Sequence, residues 1–322
     1  MLENFNVTVS IICSAYNHEK YIRTTIEGFL MQKTDFKFEV LIHDDASTDK
    51  TARIIREYEE KYPEIIKPIY QSENQYSKGI KVAKTYIYPK IKGEYVALCE
   101  GDDFWTDEDK LQTQVNFLKK HPEYVACAHA HKQIDMRDNS ETEKHAFNYS
   151  GTVTASQIIQ GDGNLFATNS TVYKKEAFLT NMIFRENSPV GDYPLMIQMA
   201  FLGKVYYIDK VMSCYRFMVP GSWSERNMIN DEKLRSHNEE MQKMLEEADR
   251  YSDYKYHSDF KKVIDKKWFY YFSLNEKPSF LRKYYREQYN KLHLKRKIQI
   301  YLKNYAPFVL KIRIIIRKKF LL

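Results

Sequence analysis

Strand-like and helical segments alternate over the first hundred residues, and this alternation restricts the fold more than any other feature. Residues 7–13 form a nearly continuous apolar and β-branched run, which is typical of a strand covered on both faces. Further strands are predicted at 38–43, 65–71 and 96–99, and helices at 19–32, 51–61 and 79–90. Beyond residue 120, strands are predicted at 124–131, 166–173, 205–208 and 212–216, a helix at 195–202, and a polar surface loop at 135–149. This succession predicts an α/β fold with a mostly parallel, doubly wound sheet and helices on both faces.

Two acidic clusters follow predicted strands. Residues 44–45 are two aspartates, and residues 100–103 are Glu-Gly-Asp-Asp. Because ligands bind at the carboxyl ends of parallel strands, we expect both clusters to face one cleft. Clustered carboxylates at a buried edge require a cation, and hard oxygen ligands favour Mg²⁺ or Mn²⁺. The alternative is an acidic turn that precedes a helix, for which Thr106 is a suitable N-cap.

Several classes of site are excluded by motif and composition. No GxGxxG follows the first strand and no GxxxxGK[ST] is present, so a Rossmann fingerprint and a P-loop are absent. The four cysteines lie in apolar surroundings without zinc-ligand spacing, which indicates buried thiols in a reducing compartment. No apolar run approaches the ~20 residues that span a bilayer. Because neither nucleotide-binding motif is present, a nucleotide would have to be held by carboxylates and a metal.

Basic charge is concentrated at the C-terminal end. Residues 282–322 contain 13 Lys/Arg and one acidic residue, although the whole chain has a net charge of only +7. The pattern becomes helical from about residue 230, so we predict one domain over 1–225 and a helical, Tyr/Lys/Arg-rich region over 226–322. Residues 307–322 mix apolar and basic side chains, which is typical of an interfacial helix on anionic lipid. The alternative is a packed helical hairpin with a basic solvent face. No motif for nucleic-acid recognition accompanies this charge, so no nucleic-acid partner is predicted.

Five segments together resemble the motifs of family 2 glycosyltransferases, in the expected order. They are residues 9–17, 39–51, 100–105, 191–192 and 215–224. The similarity covers about residues 5–225 and extends to bacterial capsule and lipopolysaccharide glycosyltransferases. It implies a GT-A fold and an inverting, metal-dependent hexosyltransferase that uses a nucleotide diphosphate sugar, with UDP as the expected nucleotide. The implied acceptor is a hydroxyl of a saccharide or lipid-linked saccharide, in surface polysaccharide synthesis on the cytoplasmic face of the cell membrane.

The resemblance implies a donor site made of eight residues. They are Ala15, Asn17, Asp44, Asp45, Glu100, Gly101, Asp102 and Arg216. Asp45 would hydrogen-bond the nucleotide base, and Arg216 would bind the diphosphate. Asp102, supported by Asp103, would hold Mn²⁺ or Mg²⁺. Asp44 could instead cap the following helix, and Arg216 could form a structural salt bridge.

The resemblance places the general base at Asp192, which would take the proton of the acceptor hydroxyl as its oxygen attacks. The alternative role for Asp192 is to cap the helix that begins near Pro194. Predicted acceptor contacts are Trp105, Asn169 and Trp223, because aromatic faces suit sugar rings, although both tryptophans would also suit a core.

One residue departs from the family pattern. Many members have a histidine two positions after the arginine, whereas this chain has Met218 there. A thioether is a poor ligand for a hard cation, so the complete set of metal ligands is in doubt.

Two other functions are open at this point. A sugar-nucleotide pyrophosphorylase uses a related sheet, but it needs an N-terminal glycine-rich loop and residues 10–18 contain no glycine. A catalytically silent, membrane-attached subunit that binds a nucleotide sugar would carry the same donor motifs.

Overall fold

The structure is a computed structural model that describes residues 7–222, 225 and 231–306. The chain divides into two compact units near residue 228, and each unit is described by itself.

Within the described residues of the first unit, ten strands form one sheet. The strands are β1 (Val9–Ala15), β2 (Phe38–Asp44), β3 (Ile66–Tyr70), β4 (Tyr95–Leu98), β5 (Phe104–Trp105), β6 (Tyr124–Asp135), β7 (Ser140–Lys144), β8 (Gly151–Val153), β9 (Val172–Lys174) and β10 (Lys204–Phe217). Their order is β3-β2-β1-β4-β9-β6-β10-β5, with β7 added to β6 and β8 added to β10. The first four strands pair in parallel, and antiparallel pairs with β9 join them to the second half. The parallel half is the predicted doubly wound part of the sheet.

Seven helices of this unit surround the sheet in the described residues. They are α1 (Ile22–Leu30), α2 (Thr51–Lys61), α3 (Lys110–Lys120), α4 (Ala155–Gly161), α5 (Lys175–Leu179), α6 (Ile183–Glu186) and α7 (Asp192–Leu202). The predicted helix at 51–61 is confirmed. In α1, Ile22, Ile26 and Phe29 recur at helical spacing and are all fully buried. Burial of each such side chain stabilises the fold by roughly 1.5–3 kcal/mol.

Three predicted elements differ in the structure. The strand predicted at 166–173 is only β9 (Val172–Lys174), because Thr168–Ser170 form a 3₁₀ turn before it. The helix predicted at 79–90 is a series of short turns: Tyr76–Lys78 and Tyr88–Lys90 are 3₁₀ turns and Ala83–Ile87 is a π turn. Gly79 ends the first turn at φ +76°, and Pro89 cannot donate the hydrogen bond of a regular helix. The predicted loop at 135–149 contains β7, an exposed strand that pairs with β6. Its sequence was not recognised as a strand because it has no apolar alternation.

Helix α3 starts later than predicted, and Thr106 does not cap it. The residue before its first turn is Asp109, whereas the backbone N–H of Thr106 donates to the Met212 carbonyl on β10 (3.0 Å). Thr106 therefore does not cap α3, and the acidic residues 100–103 do not form the turn before this helix that the sequence left open.

The described residues of the second unit, 231–306, are mainly helical, in agreement with the helical pattern predicted from about residue 230. Its described helices are α8 (Asp231–Tyr251), α9 (His257–Asn275), α10 (Pro278–Tyr284), α11 (Arg286–Lys291) and α12 (Leu294–Tyr305). Leu281, Tyr289 and Ile300 form a small buried cluster, and Trp268 on α9 donates to the Gln242 side chain on α8 (2.6 Å). Across the parts of both units that are described, no helix combines the length and apolarity that crossing a bilayer requires.

Candidate active site

The predicted donor residues meet at the carboxyl end of β1. On one side of this strand, the backbone N–H of Asp45 donates to the Ala15 carbonyl (3.0 Å). On the other side, the N–H of Gly101 donates to the Ser14 carbonyl (2.9 Å). The parallel pairing of β2 and β4 with β1 thus brings both acidic clusters to one edge of the sheet.

Asn17 joins the loops that follow β1 and β2. Its N–H donates to the Ser47 hydroxyl (2.9 Å), and its side-chain oxygen accepts the N–H of Thr48 (2.8 Å). Its backbone has a φ of 56°, in the left-handed region that asparagine tolerates better than most residues. Asn17 therefore shapes the rim of the site.

The two aspartates at the end of β2 are buried and differ in their partners. The carboxylate of Asp45 accepts the backbone N–H groups of Gln75 (2.9 Å) and Tyr76 (3.0 Å). One oxygen of Asp44 accepts the N–H of Ser47 (3.2 Å), while Oδ1 is buried and has no partner among the described residues. Asp44 thus holds the turn that includes Ser47, while its other oxygen makes no hydrogen bond within the described residues.

The carboxylates of the Glu100–Asp103 cluster repel one another, and burial makes their charged forms less favourable. Burial, followed by the charges of Asp102 and Asp192, raises the pKa of Glu100 to about 7. Burial and the charges of Asp102 and Glu100 also raise the pKa of Asp103 well above its usual range. A cation bound in this cluster would relieve that repulsion.

Arg216 is held beside the cluster by aromatic rings and by backbone. Its guanidinium lies 4.4 Å from the ring centre of Phe104 and 5.0 Å from that of Tyr21, and it donates to the carbonyl oxygen of Asp102. The backbone N–H of Arg216 donates to Oδ1 of Asp103 (2.7 Å). The contact to Asp102 uses a carbonyl oxygen, in contrast to the structural salt bridge that the sequence left open.

Asp192 is the first residue of α7. Its Oδ1 accepts the N–H of Tyr193 (2.7 Å), and its charge lies in the first turn of the helix, at the positive end of the helix dipole. Its charge contributes to the raised pKa of Glu100, so the two carboxylates lie close enough to interact. Asp192 is therefore within electrostatic range of Glu100 in the acidic cluster.

Two predicted acceptor contacts are wrong. Trp105 is 1 % exposed and its indole N–H donates to the Asn169 carbonyl (3.0 Å). Asn169 is fully buried, donates to the Cys214 carbonyl (2.8 Å), and accepts the Ser213 hydroxyl (2.8 Å). Both side chains are structural, because they join β5, β10 and the turn at Thr168–Ser170 and have no surface for a sugar. The third predicted contact, Trp223, lies outside the described residues.

His18 belongs to the site but was not among the predicted residues. Its Nε2 lies 3.9 Å from Oδ2 of Asp102, and its Nδ1 is buried without a partner among the described residues. Gly101 packs against the ring, since a Cβ at Gly101 would lie 2.8 Å from Nδ1. A single histidine in a loop has no periodic or spacing signal, so the sequence alone could not assign it.

The two predicted metal ligands, Asp102 and Asp103, differ in how freely their side chains could contact a divalent cation. No group of three His, Cys, Asp or Glu side chains in the described ranges is arranged to hold a metal by itself. The Asp102 side chain is 16 % exposed and can contact a cation. Asp103 is 2 % exposed and one of its oxygens holds the backbone of Arg216, so it fits a supporting role. The protein side chains therefore fit a cation that takes further ligands from a bound substrate.

Comparison with known proteins identifies the family. The profile of glycosyl transferase family 2 matches residues 10–180. The chain belongs to glycosyltransferase family 2. An uncharacterized protein of Mycobacterium tuberculosis is 35% identical over 215 residues, which cover 67% of this chain and 60% of that protein. The putative teichuronic acid biosynthesis glycosyltransferase TuaG of Bacillus subtilis is 37% identical over 117 residues, or 36% of this chain and 44% of TuaG. The matched region thus spans less than two thirds of the length of these relatives.

Solved structures show the same fold. S. aureus TarS in complex with UDP-GlcNAc superposes with a TM-score of 0.62 at 20% identity, covering 91% of this chain and 78% of that chain. The mannosyltransferase PcManGT of Pyrobaculum calidifontis, in complex with GDP-Man and Mn²⁺, gives a TM-score of 0.53 at 15% identity, covering 92% and 84%. These similarities confirm the GT-A fold that the sequence motifs predict for this family 2 chain.

Proposed function

We propose that this family 2 chain transfers a sugar from a nucleotide diphosphate sugar to a hydroxyl of a saccharide or lipid-linked saccharide, with inversion. The observation that carries the proposal is that Asp44–Asp45 and Glu100–Asp103 follow the strands on either side of β1, with Arg216 bonded to Asp102 and Asp103. The charge of Asp192 also acts on Glu100. Each group suits one part of such a donor or one step of its reaction, and the proposal rests on their combination.

The donor we propose is a UDP-sugar. TarS was crystallised with UDP-GlcNAc and the Pyrobaculum enzyme with GDP-Man, which supports a nucleotide diphosphate sugar but not a particular base. Asp45 lies beside the 75–76 backbone and is the proposed contact to the base, while Oδ1 of Asp44 is an available acceptor. Arg216 would bind diphosphate oxygens with its planar guanidinium.

A Mn²⁺ or Mg²⁺ ion held by Asp102 would neutralise charge on the departing diphosphate. The chain's own contribution is to hold Asp102 and Arg216 together, through the bond from the guanidinium to the Asp102 carbonyl and through the Asp103 carboxylate. Burial first, and then the charges of Asp102 and Asp192, raise the pKa of Glu100, and a bound cation would balance those charges. With Met218 after Arg216, the diphosphate would supply much of the metal's coordination.

Asp192 is the proposed general base. As the acceptor oxygen attacks the anomeric carbon, the bond to the diphosphate breaks and the hydroxyl proton moves to the Asp192 carboxylate. The diphosphate and the attacking oxygen occupy opposite faces of the sugar, so the product is inverted. A carboxylate suffices because the proton becomes acidic as the new bond forms.

For the acceptor, we propose a growing surface polysaccharide, made at the inner face of the cell membrane. The similarity to TuaG, whose name assigns it to teichuronic acid biosynthesis, supports this class of product. The concentration of Lys/Arg in residues 282–322 supports attachment to an anionic membrane surface.

The decisive experiment compares Asp192→Asn with the wild type. Thermal-shift screening of nucleotide sugars with Mn²⁺ identifies the donor first, because a ligand that binds only the folded state raises Tm. We expect Asp192→Asn to bind that donor normally and to lose about 100-fold or more in transfer rate. Asp209→Asn, at a partly buried aspartate bound to His145, is the matched control and should retain full activity. Unchanged transfer by Asp192→Asn would refute the base assignment, and donor binding without any turnover would favour the silent subunit.

A further inference from the structure

A segment on the donor side of the site is tied to the helix that precedes Asp192. Residues 75–90, called here the donor-side segment, follow β3 and begin at the two N–H groups that Asp45 accepts. Within the segment, the Tyr86 hydroxyl donates to the Gln75 side chain (3.1 Å), and the Tyr86 ring stacks on His43, next to Asp44 (5.7 Å between centres). The segment is therefore fixed to the end of β2.

The other side of the segment contacts α6 at several points. Lys84 forms an ion pair with the Glu186 carboxylate, and Lys81 donates to the Glu186 carbonyl. Arg185 donates to the Tyr88 hydroxyl (3.0 Å) and to the Phe178 carbonyl (2.7 Å). The rings of Tyr88 and Phe178 pack edge to face with centres 5.0 Å apart. Charged and hydrogen-bonded contacts thus join the segment to α6, and the aromatic contact joins it to the neighbouring α5.

Helix α6 ends at Glu186, and α7 begins six positions later at Asp192. The position of Asp192 therefore depends on where residues 187–191 leave α6. We propose that Lys84, Arg185 and Glu186 are positioning residues, which set the proposed base Asp192 relative to the donor by fixing α6 to the donor-side segment. This inference rests on the proposed function, and nothing in it requires these residues to touch a substrate.

The contacts predict a kinetic signature. The contacts described for these three side chains are made with the donor-side segment, α5 and α6, so their loss should leave donor affinity nearly unchanged while misplacing the base. An exposed ion pair is worth up to about 1 kcal/mol, which corresponds to about fivefold in rate. Lys84→Glu and Glu186→Lys should each lower kcat about fivefold, with the donor KM within twofold of wild type.

A charge swap separates this role from a general effect of charge. The double variant Lys84→Glu/Glu186→Lys restores the pairing and should return kcat to within about twofold of wild type. The matched control is Lys78–Glu73, an exposed ion pair that lies at the start of the segment and does not reach α6. Reversing either of its charges should change kcat less than twofold. A double swap that is no better than its single variants, or an equal effect of the control pair, overturns the inference.

Hydrogen exchange gives a readout that needs no substrate. Amide exchange in residues 187–192 should be faster in both single variants, normal in the swap, and unaffected in the Lys78–Glu73 variants. Wild-type protein without turnover would refute the proposed function, and the exchange result then decides the coupling by itself. If amide exchange in residues 187–192 does not change when the Lys84–Glu186 pair is broken, the proposed coupling is refuted.

Discussion

Gly101 occupies a position that no larger residue can take without moving the site. A Cβ there would lie 2.8 Å from Nδ1 of His18, 3.1 Å from the Ala15 Cβ and 3.2 Å from Ile22 Cδ1. The first of these distances is shorter than real Cβ contacts, so His18 would have to shift away from Asp102. The glycine therefore keeps β1, the His18 loop and the acidic cluster at their spacing.

From this packing we expect Gly101→Ala to lose stability and donor binding together. Overpacking of a filled site costs about 1–3 kcal/mol, which urea unfolding can measure. Gly191→Ala is the control for stability, because the added Cβ would meet nothing within 4 Å. Equal unfolding free energies for the two variants would contradict the steric argument.

At this scale the sequence was informative where a side chain follows a strand in a recognisable motif. Asp45 and Asp102 follow β2 and β4, whose carboxyl ends lie on either side of β1, and Arg216 contacts the Asp102 carbonyl. Trp105 and Asn169 were misassigned, because polar and aromatic character does not say whether a tertiary partner already uses the side chain.

Helix α3 carries a buried lysine beneath this edge. Lys110 is fully buried, its Nζ donates to the Gln114 side chain (2.9 Å), and it lies 4.1 Å from the Trp105 ring centre. Burial lowers the pKa of Lys110 to about 7. In the unfolded chain this pKa is about 10.4, so between these values the unfolded state binds the extra proton and stability rises with pH.

The pH dependence of stability tests this. Lys110→Met removes the titration, so the stability of the wild type minus that of the variant should grow by about 1–2 kcal/mol between pH 7 and 8.5. Urea unfolding at several pH values measures the difference, in which the titration of other groups cancels. Lys120→Met at the exposed end of α3 should run parallel to the wild type. A constant difference for Lys110→Met would show that Lys110 has an ordinary pKa in the folded protein.

Element boundaries were predicted well where periodicity and packing agree, as in α2, whose apolar face is Ile54, Ile55 and Tyr58. They were predicted poorly where contacts outside the element decide. The 79–90 pattern became short turns around Gly79 and Pro89, and its π turn presents Tyr86 to His43. Strand β7 exists because β6 offers it an edge, which its own residues do not reveal.

At the scale of the whole molecule, charge and exposed apolar surface are unevenly distributed. On α12, Leu294 is 70% exposed, and Ile298, Tyr301 and Tyr305 are about half exposed. These four residues recur at spacings of four, three and four, so they share one face of the helix. Lys295 and Lys297 lie between them in sequence. We propose that this face of α12 contributes to membrane attachment. The sequence signal for such attachment was residues 307–322, which lie outside the described residues.

Vesicle co-sedimentation tests the attachment. The full chain should bind vesicles that contain anionic lipid, bind zwitterionic vesicles weakly, and dissociate as salt rises. Leu294→Asp/Ile298→Asp should weaken binding severalfold, whereas Lys20→Asp, which removes an exposed basic charge near the N-terminal end, should not. Equal binding to both vesicle types, or no effect of the α12 changes, would contradict the proposal.

The bonds that Trp105 and Asn169 make have a practical consequence for protein engineering. A mutagenesis library meant to alter acceptor choice would gain little from these two positions, because most replacements would leave buried polar groups of the Thr168–Ser170 turn and of β10 unsatisfied. Diversity is better placed at exposed rim positions such as Tyr16, which is 44% exposed beside Asn17. Variants there can change what enters the cleft without dismantling the framework that supports it.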